Sequence, residues 1–167
     1  MNKRTRIMLF TFAFTFIFAF MFLSNGCSLT ISKTTSSIPN KEETSISKAV
    51  KSGYEKAFNF SYETTTGIEG SEYFTKEFNE KNQITKKYQP LIINTRKEEK
   101  MINTMKIKEV KDIKTNGNSA TATALYKATS KSTSKKFNFD RTGEIRTDLI
   151  KSNNKWLINE MQIYTYK

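Results

Sequence analysis

The sequence predicts an α+β domain in which N-terminal helices pack on a curved, four-stranded antiparallel sheet. Three observations predict it. Over residues 46–58, apolar side chains recur at three- and four-residue spacing, which marks one face of a helix. From Met101 onward, apolar and polar residues alternate instead, which is the period of a strand. Polar turns at Asn116-Gly117-Asn118, residues 130–134 and Asn153-Asn154 then cut that second half into four pieces.

The elements follow in order. Ile46, Ala49, Val50, Ala57 and Phe58, with Tyr54 between them, line a first helix opened by Thr44 or Ser45 as its cap. Gly53 weakens it slightly. Residues 64–70 (TTTGIEG) break the pattern, and Tyr73, Phe74 and Phe78 predict a second, shorter helix over residues 71–81. Residues 84–100 are ambiguous, and Pro90 argues against an uninterrupted helix across them. Residues 101–114 form the first strand, and residues 119–129, rich in Thr and small side chains, form the second. Residues 135–150 form the third, with Phe137 and Phe139 on one face and a bulge or bend at Gly143. Residues 155–167 close the sheet, with Trp156, Ile158 and Tyr164 on one face and Leu157, Met161 and Ile163 on the other. The domain therefore spans residues 44–167. Residues 27–43, rich in Ser, Thr, Lys and Asn, read as a flexible tether.

The first 26 residues have a separate logic. Lys3, Arg4 and Arg6 precede an uncharged stretch over residues 7–23, followed by Ser24, Asn25, Gly26 and Cys27. A basic start, an apolar middle and a small-residue end form the layout of an export signal. Gly26-Cys27-Ser28 after a Phe/Leu-rich run resembles the cleavage site of bacterial lipoproteins. That resemblance implies cleavage between Gly26 and Cys27 and a diacylglycerol on the Cys27 thiol. It places the domain on the outer face of a cell membrane. Leu23 stands four positions before Cys27 where the family pattern has three. Two other readings stay open: release after Gly26 by ordinary signal peptidase, and an uncleaved helix over residues 7–23 that anchors the chain.

Composition limits the chemistry. The chain has no histidine and a single cysteine, so Ser-His-Asp and Cys-His catalysis, zinc sites of Cys and His, and an internal disulfide are all excluded within it. The adjacent carboxylates Glu42-Glu43 and Glu98-Glu99 are flanked by Lys and read as solvated surface. No phosphate-binding glycine loop or nucleophile elbow is present, so the expectation is no enzyme, no catalytic residue, no cofactor and no metal. Apart from Lys3, Arg4 and Arg6, the chain carries 25 basic and 16 acidic residues, a net +9. That surface makes nucleic acid a secondary candidate partner, although Lys spread along the chain more often serves solubility.

Helices followed by a meander, with Lys155-Trp156 opening the last strand after a polar turn, resemble the cystatin-like and nuclear-transport-factor-2-like folds. With the lipoprotein-like start and the Lys/Asn/Ser/Thr-rich composition, they resemble the envelope proteins of Gram-positive conjugative DNA transfer, a type IV secretion process. The resemblance implies a non-enzymatic scaffold with protein partners in a membrane complex. The alternative is a lipoprotein that binds a small ligand or peptide in a pocket between helix and sheet.

Overall fold

A computed structural model gives the structure of residues 40–166. It is α+β, with one long helix laid across a curved antiparallel sheet of five strands, β1 (Phe60–Ser61), β2 (Ile102–Asn116), β3 (Ser119–Lys131), β4 (Phe139–Ser152) and β5 (Lys155–Tyr166), which lie side by side in chain order.

Helix α1 covers Lys41–Phe58 and begins before the expected Thr44. The Asn40 side chain accepts the Glu42 N–H, and Glu42 and Glu43 lie in the first turn, where they complement the positive end of the helix dipole. The apolar pattern starts only at Ile46, so the first turn carries no apolar signal, and residues 41–43 belong to the helix rather than to a tether. Ile46, Val50, Gly53 and Tyr54 face the sheet. Opposite them, strand β3 presents Ala120, Ala122, Ala124 and Ala128, all buried. These small side chains form a shallow furrow, and the large residues of α1 fill it. At Gly53 the approach is closest: a Cβ there would stand 2.8 Å from the Ile158 side chain and 3.0 Å from that of Tyr73.

After α1 the chain forms the two-residue strand β1, Phe60–Ser61, paired with Asn103 and Ile102 of β2. This fifth strand corrects the expected count of four, since two residues are too few to show a period. A loop leads to a 3-10 turn, Ser71–Tyr73, and then to helix α2, Lys76–Lys81. The single helix expected over residues 71–81 is therefore broken. Phe74 is extended and pairs with Ile158, and the Thr75 N–H donates to the Ile158 carbonyl at 2.9 Å. The Thr75 hydroxyl then caps α2 by accepting the Phe78 N–H. Phe74 and Phe78 stack at 4.8 Å in the core, which the extended step at Phe74 and Thr75 permits. Helix α3, Gln89–Glu98, occupies part of the ambiguous stretch. Pro90 lies in its first turn, where the missing N–H has no helical partner to lose.

Strands β2 (Ile102–Asn116), β3 (Ser119–Lys131), β4 (Phe139–Ser152) and β5 (Lys155–Tyr166) form the expected antiparallel meander. Gly117 has φ +58 in the first hairpin, and Asn153 and Asn154 both have positive φ in the last, as tight two-residue turns demand. The middle turn runs over residues 132–138 rather than 130–134, so Phe137 lies in the turn and does not share a strand face with Phe139.

Two further expectations are corrected in the register. Gly143 is no bulge, because pairing runs unbroken through it to Tyr126 and Thr165. It is a site of close approach instead, where a Cβ would collide with the Tyr164 carbonyl of β5. The bulge lies in β5 itself: Ile158 pairs with Leu149 and Glu160 with Asp148, which leaves Asn159 as the extra residue. The extra residue reverses the alternation. Trp156 and Ile158 face the core, but beyond Asn159 the inward positions are Met161 and Ile163, and Tyr164 turns outward.

Candidate functional site

The space between α1 and the sheet is filled by the chain itself. Ile46, Val50 and Tyr54 are fully buried there, with Phe74, Phe78 and Trp156 beside them. Tyr54 donates or accepts a 2.7 Å hydrogen bond with Thr147, and burial pushes its phenol pKa up, so it stays neutral. Two shallow recesses lie elsewhere. One of about 290 Å³ lies on the outer sheet face around Thr121, Arg146, Asp148 and Gln162. Another, about 560 Å³ and wide open, lies beside the C-terminal half of α1 around Glu55, Asn59 and Glu69.

The outer face is polar and of mixed sign. Strand pairing sets Lys114, Thr121, Asp148 and Glu160 in one row, and Lys111, Thr123, Arg146 and Gln162 in the next. Further along, Glu109, Leu125, Glu144 and Tyr164 form a row that brings the Glu144 carboxylate 3.1 Å from Arg146. The Arg146 guanidinium lies 4.7 Å from the centre of the Tyr164 ring. Charges of both signs alternate around half-buried Leu125, so the face carries no patch of a single sign.

The two long edges of the sheet differ. On the β2 edge, the Asn59 side chain donates to the Met105 carbonyl at 3.0 Å and accepts the Met105 N–H. Its amide thus continues the ladder that β1 begins. Glu55 accepts the Ile107 N–H at 3.0 Å. Register shifts follow Ile107 and Lys111, and Lys106, Lys108, Lys111 and Lys114 line the strand. On the β5 edge, Phe74 and Thr75 cover only the first half, with the Thr75 hydroxyl donating to the Asn159 side chain. Among the described residues, 160–166 have no strand partner on that side, and the Lys81 ammonium lies 4.0 Å from the Glu160 carboxylate. Ile163 is 42% exposed, Tyr164 39% and Tyr166 53%, and Glu160 is the one charged residue of the stretch.

A polar latch holds the 62–70 loop. The Glu69 carboxylate accepts from the Thr65 hydroxyl at 2.7 Å, the Thr66 N–H at 2.6 Å, and Arg96 of α3 at 2.6 Å. The same guanidinium stacks 3.5 Å from the Phe60 ring centre, which ties α3 to β1. Burial alone would raise the Glu69 carboxyl, but the Thr65 hydroxyl and then Arg96 outweigh it and hold the pKa at about 2.

The expected site residues Gly26 and Cys27 lie outside the described residues. Of the carboxylate pairs, Glu98 is exposed as expected, but its neighbour and Glu42 have structural partners. Glu42 forms a 2.7 Å ion pair with Lys151, and Glu99 accepts the Ser134 N–H. Among the described residues, no three His, Cys, Asp or Glu side chains gather in a way that would hold a metal ion. Sequence reasoning missed Asn59, Thr75 and the Glu69–Arg96 pair, whose roles depend on distant partners. Sequence reasoning also missed the open edge; the absence of charge over residues 161–166 is the signal that could have marked it. No protein-family model and no curated protein matches this chain.

Proposed function

We propose that this chain is an extracytoplasmic lipoprotein, cleaved after Gly26 and anchored in the cell membrane by a lipid on Cys27. It serves as a non-enzymatic scaffold in a conjugative DNA-transfer (type IV secretion) apparatus, and its domain is of the cystatin-like or nuclear-transport-factor-2-like type. The observation that carries the scaffold reading is the filled interior beside an open sheet edge and a large polar sheet face. A ligand-binding lipoprotein would need room where Tyr54, Phe74 and Trp156 already pack.

The layout supports presentation to a partner. The chain enters the domain at Asn40, and the Glu42–Lys151 pair holds that end of α1 near the turn at Asn153-Asn154. Strand β5 leaves this turn at Lys155 and runs away from it, so its open half lies at the opposite end. The 12 residues between Cys27 and Asn40 reach at most about 40 Å when extended.

The test is a cross-linked pull-down of the tagged full chain from native membranes, with mass spectrometry of the captured proteins. Recovery of a transfer ATPase or of polytopic channel subunits is the expected result. Recovery of the bait alone rejects the scaffold. Cys27→Ser tests the anchor: the variant is expected to leave the membrane fraction, and full retention would favour an uncleaved helix.

A further inference from the structure

We propose that residues 160–166 of β5 are a self-pairing edge, through which two copies of this chain join their sheets antiparallel about Ile163. The proposal rests on the strand alone and needs neither the lipid nor the transfer apparatus.

The available length sets the register. Phe74 and Thr75 occupy the edge as far as Asn159, and β5 ends at Tyr166. The open window is centred on Ile163. Sliding the second strand one way drives it into Thr75, and sliding it the other way shortens the paired length among the described residues. Centred pairing sets Glu160 opposite Tyr166, Met161 opposite Thr165, Gln162 opposite Tyr164, and Ile163 opposite its own copy. No like charges oppose each other, because Glu160 is the only charge and faces a tyrosine.

The faces match as well. Directly opposed residues of an antiparallel pair share a face. The two Ile163 side chains would therefore meet on the helix-bearing side, beyond the part that α1 covers. Tyr164 would meet Gln162 on the outer side. The pairing covers the exposed surface of Ile163, Tyr164 and Tyr166 and satisfies backbone groups of β5 that no strand among the described residues pairs. Edges are commonly defended by Lys, Pro or a bulge, and residues 160–166 carry none of these, whereas β2 carries four lysines and two register shifts. A seven-residue strand pair is a small interface, so the dimer is weak in free solution and gains when both copies share one membrane. The net positive charge of the domain opposes it at long range, so added salt strengthens it, whereas salt weakens binding to an acidic partner.

The experiment uses full-length chains in native membranes, carrying Ile163→Cys, Leu91→Cys, or Cys27 alone, under mild oxidation. Opposed Cα atoms about 4.5–5.5 Å apart lie within disulfide reach. The expected result is a disulfide-linked product of doubled mass with Ile163→Cys, well above both controls. Leu91, exposed on α3, reports random collision. In detergent, the unaltered chain is expected to show a sedimentation-detected dimer that grows with salt. Ile163→Lys abolishes it and leaves the circular dichroism spectrum unchanged. Cross-linking at position 163 no stronger than at 91 overturns the proposal. So does a product whose added mass belongs to a different protein, which would assign the edge to a foreign strand.

Discussion

The two edges of one sheet are finished in opposite ways. Along β2, side chains from the end of α1 do the work of a missing strand, with Asn59 bonding both backbone groups of Met105 and Glu55 taking the Ile107 N–H. Bulges and lysines complete that defence. Along β5, the same kind of closure comes from the backbone of Phe74 and Thr75, and it stops at the Asn159 bulge. The difference teaches that closure here depends on what lies just after α1. The chain passes β2 first and seals it, then reaches only the near half of β5.

Breaking β5 away from β4 has the largest expected effect. Gly143→Ala places a Cβ against the Tyr164 carbonyl, so the end of β5 must shift or detach. A loss of about 3 kcal/mol or more is expected in urea unfolding, and the open edge is lost with it. Acid comes next and separates the two edges. Glu69 is held below the ordinary carboxylate range, so its stabilisation is present above about pH 4.5 and is lost as pH falls toward about 2. Full protonation removes on the order of 2–3 kcal/mol. Arg96 stacks on Phe60, so this loss reaches β1 and the Ile102 and Asn103 amides of β2. Hydrogen exchange at pH 3, corrected for intrinsic rate, should rise there more than at Ile158 and Asn159, whose partners do not titrate. Asn59→Ala leaves Met105 without its side-chain partner and should cost about 2 kcal/mol, read as a lower urea midpoint. Thr75→Ala removes the α2 cap and the bond to Asn159, and should cost about 1 kcal/mol in urea unfolding while leaving the backbone bond to Ile158, and so the length of the open edge, unchanged.

Much of the fold was legible because it is local. Ile46, Val50 and Tyr54 share a helix face by spacing alone, and Gly117 and Asn153-Asn154 mark turns that need positive φ. The alternation of β3 needs no partner to be read. The rest depended on contacts far apart in the chain. Asn159 reverses the faces of β5 because it lies opposite the Asp148–Leu149 step, which no pattern within β5 reveals. Phe74 and Phe78 have helical spacing, but pairing with Ile158 holds Phe74 extended. Glu69 and Arg96 meet across 27 residues, and nothing local to either residue predicts the pair. Of the candidate surface, the uncharged character of residues 161–166 was readable, but the fact that their neighbours stop short was not.

The most direct test is hydrogen–deuterium exchange on the full chain in detergent, compared at low and high protein concentration. The account predicts that added protection at high concentration is confined to peptides spanning residues 160–166, with residues 104–116 unchanged. Concentration-dependent protection along β2, or none at the end of β5, would contradict it.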